Sequence, residues 1–232
     1  DFSAALKALH NPQITETPSL NSPAHLRMAY DELLANQLAL SLVRRHMKRA
    51  SGRSFEGSGE RQVKVIAALP YKLTGAQVFA NAEIQSDMAS PSRMLRLLQG
   101  DVGSGKTIVA LLALATAVEC GAQGAFMVPT EILARQHIMS LTPLCQASGI
   151  SIAALTGREK GKQREDILER LAEGSIDILI GTHALFQEGV EFNNLGLVVI
   201  DEQHRFGVHQ RLALQAKAGS ATDLLVMTAT PI

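Results

Sequence analysis

A glycine-rich stretch, GDVGSGKT at residues 100–107, has the residue types and spacing of a phosphate-binding turn. Its glycines allow backbone N–H groups to turn inward around phosphate oxygens, and the helix that follows directs its positive end at them. Lys106 is expected to reach the β- and γ-phosphates, and the Thr107 hydroxyl to ligate Mg²⁺. The nucleotide-binding residues predicted in this turn are Gly100, Gly103, Ser104, Gly105, Lys106 and Thr107.

A pair of carboxylates, Asp201 and Glu202, follows the apolar stretch LGLVVI. Asp201 is suited to hold Mg²⁺ through water. Glu202 is suited to orient and deprotonate a water molecule that attacks the terminal phosphate in line. Taken alone, a strand that ends in Asp-Glu is more often a solvated exit, and the upstream phosphate turn is what favours the catalytic interpretation. We therefore predict a nucleoside triphosphate and Mg²⁺ as ligands, with Glu202 and Lys106 as catalytic residues.

These residues need an α/β framework to bring them together. Short apolar runs predict strands at residues 94–98, 124–128, 151–155, 176–180, 196–200 and 223–227. Helical stretches lie between them, near residues 75–88, 105–119, 130–147, 160–173 and 207–217. This alternation predicts a mostly parallel sheet flanked by helices on both faces. Ligands bind such sheets at the carboxyl ends of the strands, where both motifs lie.

The first 61 residues differ from the rest and predict a separate helical extension before a domain of residues 62–232. Residues 1–21 are interpreted as a linker that packs on another part of the protein. Ser22-Pro23 is a helix start, and apolar residues at helical spacing from Leu26 to Val43 predict one amphipathic helix over residues 23–50. The cations of RRHMKR (44–49) fit a helix C-terminus better than a DNA-binding patch. Residues 51–61 lack periodicity and predict a mobile loop.

Motifs at both ends of residues 69–232 resemble those of superfamily 2 helicases. DEQH (201–204) and TATPI (228–232) resemble helicase motifs II and III. The resemblance implies a RecA-like domain in which four residues couple the γ-phosphate to the nucleic-acid groove: Gln203, His204, Thr228 and Thr230. LPYKLTGAQ (69–77) resembles the motif in which a glutamine, here Gln77, reads the adenine edge. The helicase resemblance thus implies that the triphosphate is ATP.

Three further motifs resemble the nucleic-acid-facing motifs of that superfamily: VPTEILARQH (128–137), LTGREKGK (155–162) and GTHAL (181–185). Small hydroxyl and glycine residues at strand-to-helix turns can donate hydrogen bonds to DNA phosphates without reading bases. The residues predicted to do so are Thr130, Thr156, Gly157 and Thr182. Each threonine could instead be a helix N-cap. Gln210 and Arg211 fit either the coupling surface or an exposed helix face. His137 and His183 have no second ligand at metal spacing, so we do not assign them to a metal.

Within the superfamily, GDVGSGKT, DEQHRFGVHQR and the leading helix AYDELLANQLAL together resemble the RecG family of bacterial branched-DNA helicases. Transcription-repair coupling factors are similar, but a glutamate is expected where Gln203 stands. The RecG resemblance implies DNA as partner, branched or forked. It also implies two parts that this sequence lacks: a second RecA-like domain with arginine fingers, and an amino-terminal wedge.

Composition limits other classes of function. The formal net charge is zero, so bulk charge does not indicate a nucleic-acid partner. No apolar run reaches the roughly 20 residues of a membrane helix. Two cysteines without metal spacing fit a reducing, cytoplasmic setting. The chain starts without methionine and stops after a strand, so it reads as part of a longer protein.

Two alternatives remain open at this point. A small kinase or GTPase-like switch would need a base-specificity motif after the acidic strand, and we find none. A nucleotide-binding module without catalytic activity is the other alternative. Arginine fingers from another domain are worth about 10³–10⁵ in rate, so this chain alone should hydrolyse ATP barely, if at all.

Overall fold

The computed structural model describes residues 1–11, 22–48, 52–187, 189–202 and 221–229. The chain divides into two compact units, Asp1–Arg49 and Ala50–Ile232. The sequence placed the boundary between residues 61 and 62. The structural boundary lies earlier, between residues 49 and 50, and residues 52–61 pack with the second unit. None of the described helices is long and apolar enough to cross a membrane.

The first unit contains two helices, α1 (Phe2–His10) and α2 (Pro23–Lys48), which pack against each other. Helix α2 begins at the predicted residue, where the Ser22 hydroxyl accepts a hydrogen bond from the His25 amide at 3.3 Å. The prediction of a linker is wrong for residues 2–10. The Asp1 carboxylate caps α1 by accepting from the Ser3 amide at 2.8 Å, and alanine and leucine, both strong helix formers, fill its turns.

The second unit is built on six parallel strands in the order β1-β6-β5-β2-β4-β3. This confirms the predicted parallel sheet and all six predicted strands. Residues of β2, β4 and β6 are buried throughout, as expected for strands covered on both faces. The strands are β1 (Leu95–Gln99), β2 (Gln123–Met127), β3 (Ile152–Leu155), β4 (Ile178–Gly181), β5 (Leu195–Asp201) and β6 (Asp223–Thr228).

Five α-helices and one 3₁₀ helix accompany the described part of this sheet. Helix α5 follows the glycine-rich turn and is buried from Ile108 to Val118, because it carries alanine, leucine and valine on every side. The predicted helix at 207–217 lies outside the described residues. The helices are α3 (Glu60–Ala67), α4 (Gly75–Met88), α5 (Lys106–Glu119), α6 (Glu131–Ser148) and α7 (Lys162–Ala172), and the 3₁₀ helix is His183–Phe186.

Residues 52–61 were predicted to be a mobile loop, and the structure corrects this. Phe55 is only 3% exposed, and its amide donates to the Met88 carbonyl at 2.9 Å. Helix α3 then begins at Glu60, where the Glu119 carboxylate accepts hydrogen bonds from the amides of Gly59 and Glu60. These bonds hold the pKa of Glu119 below its usual range although burial opposes the shift. The cap comes from a residue about 60 positions away, so no local pattern indicates it.

Candidate nucleotide and nucleic-acid site

The two motifs predicted to bind a nucleotide leave the same edge of the sheet. Strand β6 lies between β1 and β5, and its register is continuous with both. Gln99 is level with Thr228, and Asp201 is level with Met227. Neighbouring strands lie about 4.8 Å apart, so the glycine-rich turn and the acidic pair start roughly 10 Å from each other. A triphosphate with its metal ion can bridge that gap.

The glycine-rich turn has the backbone conformation that its sequence predicts. Gly103 and Gly105 have φ angles of 83° and 81°, a region that favours glycine, and Gly105 is the N-cap of α5. A Cβ atom at Gly100 would lie 2.8 Å from the Ser104 hydroxyl oxygen. The Gly100 amide donates to the carbonyl of Thr228 on β6 at 3.3 Å, which fixes the start of the turn to the sheet. The turn is therefore a formed loop at the positive end of a buried helix.

The Lys106 ammonium lies inside this turn. Its Nζ donates to the carbonyl oxygens of Gly100 at 2.5 Å and Asp101 at 2.9 Å. A lysine ammonium has three donors and no acceptor. Phosphate oxygens accept hydrogen bonds as the two carbonyls do, so they could replace the carbonyls as partners of Lys106. The turn and its lysine thus fit the phosphates of a nucleotide.

Gln77 lies against the turn as well. Its Nε2 donates to the Ser104 carbonyl at 2.9 Å, and its Oε1 accepts from the Thr74 amide at 2.9 Å, which completes a capping box at the start of α4. A side-chain amide has two N–H groups and two lone pairs. After these two bonds, Gln77 retains the donor and acceptor capacity that its predicted role at the adenine edge requires.

The acidic pair ends β5 with an unusual backbone. Glu202 has φ = 53°, and it is the one non-glycine residue with positive φ in the described part of the chain. This region costs a non-glycine residue about 1–2 kcal/mol, and such strain concentrates at functional sites. The Glu202 amide donates to the Met227 carbonyl at 2.9 Å, which holds the bend against β6. Asp201, one residue earlier, has a side chain that is 14% exposed.

The donor chemistry at this edge suits magnesium. Thr107, in the first turn of α5, is half-buried and supplies a hydroxyl oxygen, and Asp201 supplies a carboxylate. Mg²⁺ keeps several water ligands and takes few protein oxygens besides those of a phosphate. The described residues contain no cluster of three or more histidine, cysteine or acidic residues that could hold a metal ion. The Thr107 hydroxyl and the Asp201 carboxylate fit a Mg²⁺ ion that keeps most of its water ligands and binds phosphate oxygens.

The residues predicted to couple nucleotide and DNA are only partly described. Thr228 ends β6 between the two nucleotide motifs, is 1% exposed and accepts the hydrogen bond from the Gly100 amide through its carbonyl. The other three, Gln203, His204 and Thr230, lie outside the described residues, as do Gln210 and Arg211.

A second polar site lies further along the same sheet edge, where a cavity of about 280 Å³ opens after β3 and β4. Three of the four predicted DNA-binding residues line this cavity. Thr156 and Thr182 are buried, at 1% and 5% exposure, whereas Gly157 is exposed. The residues around it include Glu131, Thr156, Gly157, Glu159, Arg164 and Thr182.

Two carboxylates already accept from the donors of this cavity. Glu159 Oε2 accepts from the Thr156 amide at 2.6 Å and from its hydroxyl at 2.7 Å, while Glu131 Oε1 accepts from the Gly157 amide at 2.9 Å. Burial raises the pKa of Glu159, but the bonds from Thr156 and the nearby Arg135 outweigh it and hold that pKa below its usual range. The same backbone and hydroxyl donors would serve a phosphate.

The fourth residue, Thr130, is an N-cap. Its hydroxyl accepts from the Leu133 amide at 3.3 Å at the start of α6, which is the simpler role that the sequence left open for it. Thr130 is exposed, so its hydroxyl can still donate a hydrogen bond outward. Glu131, the next residue, extends from the same helix start to Gly157.

Sequence reasoning missed Glu131, Glu159 and His137. Glu131 and Glu159 stand within the quoted motifs and carry charge next to the small residues. His137 Nε2 lies 3.6 Å from Asp201 Oδ2, a contact between α6 and β5. From the sequence, we considered this histidine only as a metal ligand. Its helical spacing from the apolar residues of α6 could have placed it on the side of the helix that faces the core.

The family model of DEAD/DEAH box helicases matches residues 61–232 of this chain. The chain belongs to the DEAD/DEAH box helicase family. The match covers both nucleotide motifs and the cavity, and it decides against the kinase or GTPase-like alternative. Family membership and the parallel sheet confirm the predicted RecA-like fold.

Curated relatives that resemble this chain are named ATP-dependent DNA helicases. The chain is 52% identical over 233 residues to the ATP-dependent DNA helicase RecG of Bacillus subtilis (strain 168), covering 100% of this chain and 34% of the relative. It is 46% identical over 235 residues to RecG of Escherichia coli (strain K12), covering 98% and 34%. The chain thus spans about a third of the length of these relatives.

Solved structures agree with this family assignment. The structure of RecG bound to a three-way DNA junction matches 90% of this chain with a TM-score of 0.77 at 46% identity, and the match covers 28% of that chain. A Saccharomyces cerevisiae Dbp5 structure matches 76% of this chain and 48% of its own with a TM-score of 0.58 at 17% identity, which bears on the fold alone. The predicted resemblance to the RecG family is confirmed.

Proposed function

We propose that this chain is the first, ATP-binding motor domain of a DNA helicase that remodels branched DNA such as stalled forks and recombination intermediates. The observation that carries this proposal is the register of β1, β6 and β5, which sets the glycine-rich turn and the acidic pair at one edge with a single strand between them. The relatives supply the substrate class, because one of their structures is bound to a three-way DNA junction.

In this proposal the glycine-rich turn holds the phosphates of ATP. The N–H groups of the turn and the N-terminus of α5 face the phosphates, and Lys106 leaves the Gly100 and Asp101 carbonyls to bind their oxygens. The Thr107 hydroxyl and the Asp201 carboxylate hold Mg²⁺, the latter through water. A bound Mg²⁺ neutralises charge on the β- and γ-phosphate oxygens. Gln77 binds the adenine edge, and its hydrogen bond to the Ser104 carbonyl links it to the conformation of the turn.

Glu202 is the general base in this proposal. Its strained φ of 53° directs the residue away from the line of β5, and the bond from its amide to Met227 keeps it there. The carboxylate orients a water molecule and accepts its proton as the water oxygen bonds to the γ-phosphorus. The bond from that phosphorus to the β–γ bridging oxygen breaks, and ADP leaves with the electron pair. The proposal adds that Gln203, His204, Thr228 and Thr230 transmit the loss of that phosphate to the DNA.

DNA contacts are proposed at the cavity edge. Thr130, Thr156, Gly157 and Thr182 present amide and hydroxyl donors that suit phosphates and carry no base-reading pattern. Such binding depends on structure and salt more than on sequence, which fits a helicase that works on many sequences.

Further partners of the domain are proposed from the relatives, of which this chain spans 34%. A second RecA-like domain would close over the ATP and supply arginine fingers, and an amino-terminal wedge would split the DNA branch. We propose a cytoplasmic location, with which two unpaired cysteines, Cys120 and Cys145, are compatible.

The test is Glu202→Gln in a full-length protein that carries this chain. We expect DNA-stimulated ATP hydrolysis to fall by a factor of about 10² or more, because general-base catalysis contributes about 10²–10⁴. ATP binding should persist, since the turn is unchanged. The control is Glu191→Gln, which removes the same charge from an exposed position. A Glu202→Gln rate within a few-fold of the control would exclude Glu202 as the base.

A further inference from the structure

Between Ala134 and Cys145, the buried side of helix α6 is apolar except at His137. Ala134, Leu141 and Cys145 are buried at 0–1% exposure and are seven and four residues apart, which places them on one helix face. His137 occupies the same side between Ala134 and Leu141. An aliphatic residue would bury more apolar surface here, so packing alone does not explain an imidazole.

The environment of His137 holds its ring in one orientation. The ring lies against Phe126 of β2, with centroids 5.0 Å apart and planes inclined by 33°, and Phe126 is fully buried. His137 Nε2 is 3.6 Å from Asp201 Oδ2, slightly longer than a hydrogen bond. Both side chains are 14% exposed, so water screens their attraction less than it would on the surface.

We propose that His137 is a positioning residue for Asp201. This proposal rests on the proposed function, in which Asp201 holds the water shell of Mg²⁺. The Nε2–H group of His137 attracts Oδ2 and fixes the rotation of the carboxylate, which leaves the second carboxylate oxygen for that shell. Phe126 in turn fixes the imidazole. Groups that orient metal-binding side chains in this way commonly change metal affinity by about 10–100-fold when they are removed.

The experiment compares two substitutions, each of which removes one of the two properties of His137, its donor or its ring. His137→Phe keeps an aromatic ring against Phe126 and removes the donor, whereas His137→Gln keeps a donor and removes the ring. In the full-length protein, binding of a fluorescent ATP analogue is titrated with MgCl₂ and repeated in EDTA. We expect His137→Phe to need about tenfold more Mg²⁺ for half-maximal effect, with unchanged affinity in EDTA, and His137→Gln to stay within about threefold of the wild type.

A double-mutant cycle with Asp201→Asn identifies the partner. If His137 acts through Asp201, His137→Phe has no further effect on the Mg²⁺ requirement once Asp201 is asparagine. The proposal is overturned if His137→Phe keeps the wild-type Mg²⁺ requirement, if it weakens nucleotide binding equally in EDTA, or if the two substitutions are additive. If nucleotide binding by the wild type does not depend on Mg²⁺, both this inference and the proposed function are overturned. The other outcomes overturn this inference alone. Unfolding temperatures in EDTA show whether each variant is folded. If the phenylalanine variant is not, the same cycle is run with His137→Leu, which also removes the donor.

Discussion

At the scale of single residues, the candidate nucleotide site combines a local turn with contacts between residues that are far apart in the chain. The turn is a local motif whose φ angles, near 80° at Gly103 and Gly105, follow from glycine itself. The contact between His137 and Asp201 joins residues 64 positions apart, and Glu131 bonds the Gly157 amide 26 positions away. Such contacts depend on how the strands are ordered, which residue types do not specify.

Asp223 carries a prediction about pH. Burial raises the pKa of this carboxyl from 3.8 to about 7, against the opposing effects of the Met94 amide and Arg93. The folded chain thus keeps a proton that the unfolded chain loses near pH 4. Stability from this group is full below that pH and falls as pH rises to about 7, by at most about 1.4 kcal/mol per unit.

Asp223→Asn removes this titration. We expect the free energy of unfolding of the wild type to fall relative to that of the variant between pH 5 and 7, with a constant difference above about pH 8. Urea unfolding at several pH values measures it, and Asp166→Asn, an exposed change on α7, is the control. Parallel pH profiles for wild type and Asp223→Asn would show that Asp223 is already ionised at pH 5.

At the scale of elements, the strands were predictable because each is a short apolar run, and the long helices because their periodicity spans three turns or more. Helices α1 and α3 have nine and eight residues, too few for a periodic signal. Helix α6 spans both candidate sites. It begins at Glu131, which lines the cavity, and its His137 lies beside Asp201 about 9 Å further along the helix axis.

The turn after β3 gives the prediction at this scale. Glu159 accepts two hydrogen bonds from Thr156, whose donors bind a DNA phosphate in the proposed function. Hydrogen bonds to a charged acceptor are about twice as strong as neutral ones, so Glu159→Gln should weaken the internal competitor. We expect DNA to bind about 3–10-fold more tightly, measured by fluorescence anisotropy at fixed salt.

The matched control for this change is Glu169→Gln, which removes the same charge from an exposed position on α7. Both variants lose one negative charge, so any general electrostatic gain appears in both. Equal affinities for Glu159→Gln and Glu169→Gln would show that the carboxylate does not compete with DNA. Weaker binding by Glu159→Gln would show that Glu159 holds the turn in its binding shape.

At the scale of the whole molecule, the proposed function gives this chain one of the two surfaces that a helicase motor places around ATP. It spans 34% of relatives that are ATP-dependent DNA helicases. We expect the isolated chain to bind ATP weakly and to hydrolyse it at least about 10³-fold more slowly than a full-length protein with DNA, because arginine fingers contribute about 10³–10⁵. Steady-state phosphate release checks this. DNA-dependent turnover by the isolated chain at the full-length rate would contradict it.

The central claim is that one nucleotide with its magnesium lies between the Lys106 turn and the acidic pair. A crystal structure of the full-length protein with Mg²⁺ and a non-hydrolysable ATP analogue tests it most directly. We predict that the Thr107 hydroxyl lies about 2.1 Å from the metal, that Asp201 binds its water shell, and that Lys106 has exchanged the Gly100 carbonyl for phosphate oxygens. Triphosphate bound away from the turn, or a metal with no water linking it to Asp201, would contradict the account.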